Sequence, residues 1–313
     1  MTLRRRQFIK HGVNLGIGAG IAGSLSGVSP AVAQSAQNLI MKTIPSSGEQ
    51  IPGVGIGCNQ YQGGPDAAEM PTFKATFATF HRLGGRVVDT SPNYSNSEEV
   101  VGRLMAELNI RQDMWVATKV DRQEKQAGIE RMEGSFRRLG GDKLDLMQVH
   151  NVRGAEVQLE TMKAWKEAGR LKYIGVTTSR DSQYDDLLAI MQKYTLDFIQ
   201  VDFSLGNRNA GNRLLPLAAD KGMAVLVNLP FGRGRLFRAV GDRPLTDWAQ
   251  ALGAKSWAQV FLKYIMAQPG TVIPIPGTTK PHHAEDNVGA ATGKLPDENL
   301  MREMERFIDP LLG

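Results

Sequence analysis

Eight short apolar runs, each followed by a polar amphipathic stretch, constrain the fold of this chain more than any other feature. The runs are 54–58 (VGIGC), 86–90 (RVVDT), 114–119 (MWVATK), 144–150 (LDLMQVH), 171–177 (LKYIGVT), 197–203 (DFIQVDF), 223–229 (MAVLVNL) and 271–276 (TVIPIP). They are short and rich in Val and Ile, as strands buried on both faces are. The stretches between them carry helical spacing. Phe73, Phe77 and Phe80 fall on one face of 71–83, and Val157, Met162 and Trp165 mark 155–168. Glycines at 84, 140, 169, 222 and 253 close helices. Most strand-to-strand spacings match one βα unit. The last gap is longer and holds an extra loop, PFGRGRLFRAVGDRPLTD. Eight regular units predict an α/β fold, a (β/α)8 TIM barrel, in preference to an open doubly wound sheet. The segment 39–53, two apolar stretches around Ser46-Ser47-Gly48, predicts an N-terminal β-hairpin that plugs the barrel bottom.

The first 33 residues have a different character. Arg4, Arg5, Arg6 and Lys10 form a basic head, and no charged residue follows from His11 to Met41. The body contains six glycines and exits through Ala31-Val32-Ala33. This is the plan of a secretory signal, and Arg5-Arg6-Gln7-Phe8-Ile9-Lys10 resembles the twin-arginine (Tat) export signal. The expected organisation is a signal at 1–33, cut after Ala33, and one barrel domain at 34–313. Export would place the mature protein in the periplasm, with the export machinery as a partner and no membrane span. The full chain has 37 basic and 32 acidic residues; losing the leader's four basic residues leaves 33 against 32. Four of the five net positive charges therefore belong to the leader, and no nucleic-acid partner is expected. A single cysteine, Cys58, excludes an intramolecular disulfide and reads as a buried filler.

In a barrel the chemistry sits at the C-terminal ends of the strands. Asp89 ends the second strand, Tyr94 follows it, Lys119 ends the third and His150 the fourth. Buried Asp and Lys can pair. A lysine beside a tyrosine favours the phenolate and lowers its pKa, and a histidine can orient an oxygen that receives the proton. The strand ends offer no carboxylate pair of the glycosidase kind. His282-His283 lack a third ligand at useful spacing, so no metal is expected.

These residues resemble the aldo-keto reductase superfamily. VVDTSPNYSNSEEVVG (87–102) is similar to its Asp-x-Ala-x-x-Tyr-Gly-x-Ser-Glu signature, with Ser91 for Ala and Ser95 for Gly. WVATKV, LDLMQVHN, IGVTTS, FIQVDFSLGNR and VIPIPGTTKPHHAEDN match further segments in order, over about residues 39–290. The resemblance implies Tyr94 as general acid, Lys119 tuning it, Asp89 holding Lys119, and His150 orienting the carbonyl oxygen. It implies a nicotinamide cofactor, NADP(H) favoured over NAD(H), near Thr177, Thr178, Gln200, Phe231, Gly277, Lys280, His283, Asp286 and Asn287. Three positions depart from the pattern. Thr177-Thr178 replace Ser-Asn, Asn228 replaces an aromatic that stacks on nicotinamide, and His283 replaces a phosphate-binding arginine. The implied activity is reduction of an aldehyde or ketone, or the reverse, by a monomer. The alternative is a cofactor-binding regulatory subunit with little turnover. Asn59, Tyr61 and Asn151 are candidate pocket walls by position.

Overall fold

The structure, a computed structural model, describes residues 39–313. The expected leader and its cleavage point after Ala33 lie outside the described residues. A two-stranded antiparallel hairpin, β1 (Met41–Thr43) and β2 (Gln50–Pro52), opens the fold, with Lys42 opposite Ile51. Gly48 turns it at φ 77°, a conformation that suits a residue without Cβ.

Eight parallel strands follow: β3 (Ile56–Gly57), β4 (Val87–Asp89), β5 (Trp115–Val120), β6 (Leu144–His150), β7 (Leu171–Thr177), β8 (Phe198–Asp202), β9 (Ala224–Asn228) and β10 (Val272–Pro274). Each pairs with the next in sequence order. The ring closes where Gly55 N–H donates to Pro274 O at 2.9 Å and Gly57 N–H to Pro276 O at 3.1 Å. Gly57 also bridges Gly277 in parallel register. A Cβ at Gly57 would stand 2.8 Å from Ile275 O, so the seam requires glycine there.

Every second strand residue points into the barrel. Val87, Trp115, Ala117, Leu146, Tyr173, Phe198, Ala224, Leu226, Ile273 and Ile275 form one interior cluster with Ile44 and Ile51 of the hairpin. The hairpin therefore plugs the lower end, as its two apolar stretches predict. Continuing the same alternation upward brings Asp89, Lys119, His150, Thr177, Gln200 and Asn228 to the inner upper rim.

The outer helices bury their apolar faces on this ring. Helix α1 (Met70–Arg82) buries Phe73, Phe77 and Phe80. It is followed by α2 (Ser97–Glu107), α3 (Lys125–Leu139), α4 (Ala155–Glu167), α5 (Tyr184–Lys193) and α6 (Leu214–Asp220). On α4 the expected stripe is corrected at Val157, which is 37% exposed. The buried line runs through Ala155, Leu159 and Met162 instead, because Val157 lies five positions before Met162 and off the 3.6-residue period. The extra segment before the last strand is more structured than a loop. It holds α7 (Arg235–Val240) and leads into α8 (Asp247–Ala251), ahead of α9 (Trp257–Met266). Helices α10 (Pro281–Gly289) and α11 (Glu298–Leu312) complete the described chain. No helix among the described residues is long and apolar enough to cross a membrane.

Candidate active site

The upper rim opens into a cleft of about 690 Å³ lined by Asp89, Tyr94, His150, Thr177, Gln200, Asn228 and Gly277 among others. Lys119 stands behind it, fully enclosed. Its Nζ donates to Asp89 Oδ2 at 2.7 Å and to Thr90 O at 2.8 Å. The other Asp89 oxygen accepts from Gln200 Nε2 at 2.8 Å and Gln148 Nε2 at 3.4 Å. A buried carboxylate is thus matched by one cation and two amides, which offset its desolvation. Lys119 Nζ lies 5.2 Å from the centre of the Tyr94 ring, and the His150 ring meets Tyr94 edge-on with centroids 5.8 Å apart. The four residues expected to act together are brought together.

Their electrostatics refine the expectation. Burial works to strip Lys119 of its proton, but Asp89 and then Tyr94 outweigh it and hold the ammonium above its ordinary range. Burial also pushes the Tyr94 phenol up; Lys119 pulls it down and Asp89 raises it again. The net shift is upward, so the lowering expected from Lys119 alone is overridden by desolvation. The phenol keeps its proton at neutral pH. Burial, with Lys119 and Arg131 in the same direction and Asp121 opposing, lowers His150 to about 3. The imidazole is neutral.

Residues expected at the cofactor divide into two groups. Thr177, Gln200, Phe231 and Gly277 line the cleft. Thr177 Oγ1 donates to Gln200 Oε1 at 3.2 Å, which ties that amide into the Asp89 network. Thr178 is fully buried, and its hydroxyl donates to Gln183 Oε1 at 2.6 Å. Its neighbour Ser179 stands in the wall instead. Lys280 precedes α10 and His283 lies on its first turn, both exposed. Burial, then His282 and Lys280, lower His283 below its ordinary value, so it carries little positive charge at neutral pH. The Asp286 carboxylate is engaged by Ser256 Oγ at 2.7 Å and Gln259 Nε2 at 2.8 Å, and Asn287 is buried. Of the position-based walls, Asn59 and Asn151 line the cleft. Tyr61 does not: it packs between Phe73 and Phe77 and donates to Thr278 O at 2.7 Å. Cys58 is buried as expected, and burial pushes its thiol well up.

The family model for the aldo/keto reductase family matches residues 53–307. This chain belongs to the aldo/keto reductase family. Among its relatives is the NADP-dependent aldo-keto reductase yakc of Schizosaccharomyces pombe, 26% identical over 80% of this chain and 87% of that protein. The NADH-specific methylglyoxal reductase of Escherichia coli is 26% identical over 75% of this chain and 87% of its own length. The crystal structure of a Klebsiella pneumoniae aldo/keto reductase with NADP and acetate superposes with a TM-score of 0.71 at 21% identity, over 86% of this chain and 95% of that one. That likeness shows the shared fold.

Within this aldo/keto reductase the departures now have physical content. Ser95, where the signature has glycine, adopts φ 55°, a left-handed conformation that favours glycine. Asn228 donates from Nδ2 to Thr178 O at 3.3 Å, while its Oδ1 is buried without a partner among the described residues. Arg180 and Arg233 also line the cleft and form no ion pair among the described residues, though neither belongs to a recognisable motif. The only available signal was the basic run GRGR (232–235) and Arg180 just after the Thr-Thr-Ser strand end. Asn93 and Arg131 likewise stand at no named position of the signature.

Proposed function

We propose that this aldo/keto reductase is an NADP(H)-dependent carbonyl reductase, acting in reverse as an alcohol dehydrogenase. The observation that carries this reading is the enclosed Asp89–Lys119 pair behind a protonated Tyr94, with a neutral His150 edge-on to the phenol, in one cleft. The residues present suit a nicotinamide dinucleotide. Gly57 and Gly277 leave backbone bare in the cleft lining, and Arg180, Arg233 and Lys280, which form no ion pair among the described residues, offer cations for its phosphates. The orphaned Asn228 Oδ1 lies in the same wall. Relatives named for NADP and NADH support NADP(H) first and NAD(H) as the alternative. Lys280, not the largely neutral His283, is the cation for a 2′-phosphate.

When bound, the cofactor supplies or takes a hydride at the carbonyl carbon. Tyr94 gives its proton to the carbonyl oxygen as that oxygen gains charge. The phenolate left behind faces Lys119, whose ammonium stabilises it, and Asp89 keeps that ammonium charged. His150 donates a hydrogen bond to the same oxygen. In the reverse direction Tyr94 phenolate takes the alcohol proton. Reduction of a panel of aldehydes, ketones and sugars is followed at the nicotinamide absorbance with NADPH and NADH. Tyr94→Phe is expected to abolish turnover while keeping cofactor affinity; retained turnover overturns the proton-donor role. Tight cofactor binding with no turnover of any carbonyl would favour a regulatory subunit.

We infer further that residues 1–33 direct twin-arginine export and are removed after Ala33. The charge pattern supports this, and the route suits an enzyme that binds its nucleotide before export. Fractionation should find the wild type in the periplasm with Gln34 at its N-terminus, and Arg5→Lys/Arg6→Lys retained inside. Equal export of both forms would refute the reading.

A further inference from the structure

Among the described residues, His150 has only one ring nitrogen engaged by the protein. Nδ1 lies 3.2 Å from Ser91 Oγ and 3.4 Å from Asn93 Nδ2. The other nitrogen makes no hydrogen bond among the described residues, and the ring lines the cleft. The surroundings of Nδ1 are themselves ordered. Ser91 Oγ already accepts from the Asn93 backbone N–H at 3.1 Å, so its own hydrogen is free for Nδ1. The Asn93 carboxamide cannot turn around. Its Oδ1 accepts from Arg131 Nη2 at 2.6 Å, and its Nδ2 donates to Asp121 Oδ2 at 2.6 Å. Arg131 is fixed in turn by Pro92 O at 2.9 Å, and Asp121 by Arg122 at 2.5 Å. A hydrogen on Nδ1 would therefore point at the amide hydrogens of Asn93, whereas a lone pair there is met by donors.

We propose that Ser91, Asn93 and Arg131 are positioning residues that lock His150 as the neutral Nε2–H tautomer. His150 is then a fixed hydrogen-bond donor toward the cleft and not a proton source, which leaves proton transfer to Tyr94. Its part in the reaction rests on the reductase reading; the tautomer does not. The charged and titratable groups facing the imidazole are Lys119 on β5, Asp121 just after it, Arg131 on α3 and Tyr94 in the loop after β4. Asp121, the one anion among them, is occupied by Asn93 and Arg122 and is thereby kept from capturing an Nδ1 proton.

The test uses the full chain labelled with ¹⁵N-histidine, with the His150 signals assigned by their loss in His150→Gln. In the wild type they should show a protonated Nε2 and a bare Nδ1 across the neutral range. Asn93→Asp puts a carboxylate oxygen where the amide hydrogens were. The proton should move to Nδ1, and an imidazolium should become reachable on acidification. Turnover of Asn93→Asp should fall about a hundredfold at alkaline pH, the loss of one donor at the reacting oxygen. It should recover on acidification, because the imidazolium again carries a hydrogen on Nε2, while KM stays near the wild-type value. A purely structural defect would lower the rate equally at every pH. Asn93→Leu, which adds no charge, should give mixed tautomers with unchanged cofactor affinity. A wild-type His150 protonated on Nδ1, or Asn93→Asp with the wild-type nitrogen pattern and a flat rate profile, overturns the proposal. Should the wild type reduce no carbonyl, the nitrogen signals alone still decide it.

Discussion

Replacing His150 by glutamine should change how stability depends on acidity more than it changes stability itself. The folded imidazole sits at about 3, against an ordinary 6.5 for the unfolded chain. Below the unfolded value the unfolded chain takes up a proton that the fold refuses. Stability is therefore lost as pH falls through the window from 6.5 toward 3. The slope approaches about 1.4 kcal/mol per pH unit. At pH 5 the group contributes a loss of about 2 kcal/mol, and at pH 7.5 almost none. Since pH 5 lies well above the folded value, that figure depends only on the unfolded histidine. Glutamine preserves a polar partner for Ser91 but cannot titrate. Urea unfolding of both proteins at the two pH values isolates the effect, because every other titrating group cancels in the difference. The variant should gain about 2 kcal/mol relative to wild type between pH 7.5 and pH 5. An unchanged difference would show that the imidazole protonates freely in the fold, and the argument from its burial would fail.

Two further outcomes follow from the same site. Lys119→Met leaves the Asp89 carboxylate enclosed without its cation and should cost about 3–5 kcal/mol in urea unfolding; adding Asp89→Leu should return most of it. Ser95→Gly should stabilise by about 0.5–1 kcal/mol, the relief of a left-handed serine less the extra freedom of glycine in the unfolded chain, read as a raised unfolding midpoint.

The fold was legible because nearly every position of the barrel strands is buried, which writes them as short, mostly apolar runs at regular spacing. The tops of those runs then named Asp89, Lys119 and His150. Tertiary partners were not legible. Thr178 follows Thr177 directly, yet only the strand's alternation and a glutamine five residues on, Gln183, decide that its hydroxyl is consumed. Asp286 stands among the residues expected near the cofactor, but Ser256 and Gln259, at the start of α9, engage its carboxylate. The upward shift of Tyr94 is hidden from the sequence for a similar reason: the sequence pairs it with Lys119, but only the fold sets how much water it loses. Val157 failed on simple phase, one short apolar residue on the wet side of a helix.

The barrel's seam has a kinetic meaning. Gly57 meets Gly277 and Gly55 meets Pro274, so the ring joins segments from opposite ends of the described chain. Every other strand contact forms between consecutive βα units and can assemble progressively as the chain lengthens. Closure is the most non-local of the barrel's strand pairings, and loop-closure entropy makes such steps slow. An emerging chain can stack strands in order, but it remains an open, unsealed sheet until its final strand arrives. Throughout that interval the edges of β3 and of the newest strand are unpaired, and this is when the protein is most vulnerable to pairing with another copy.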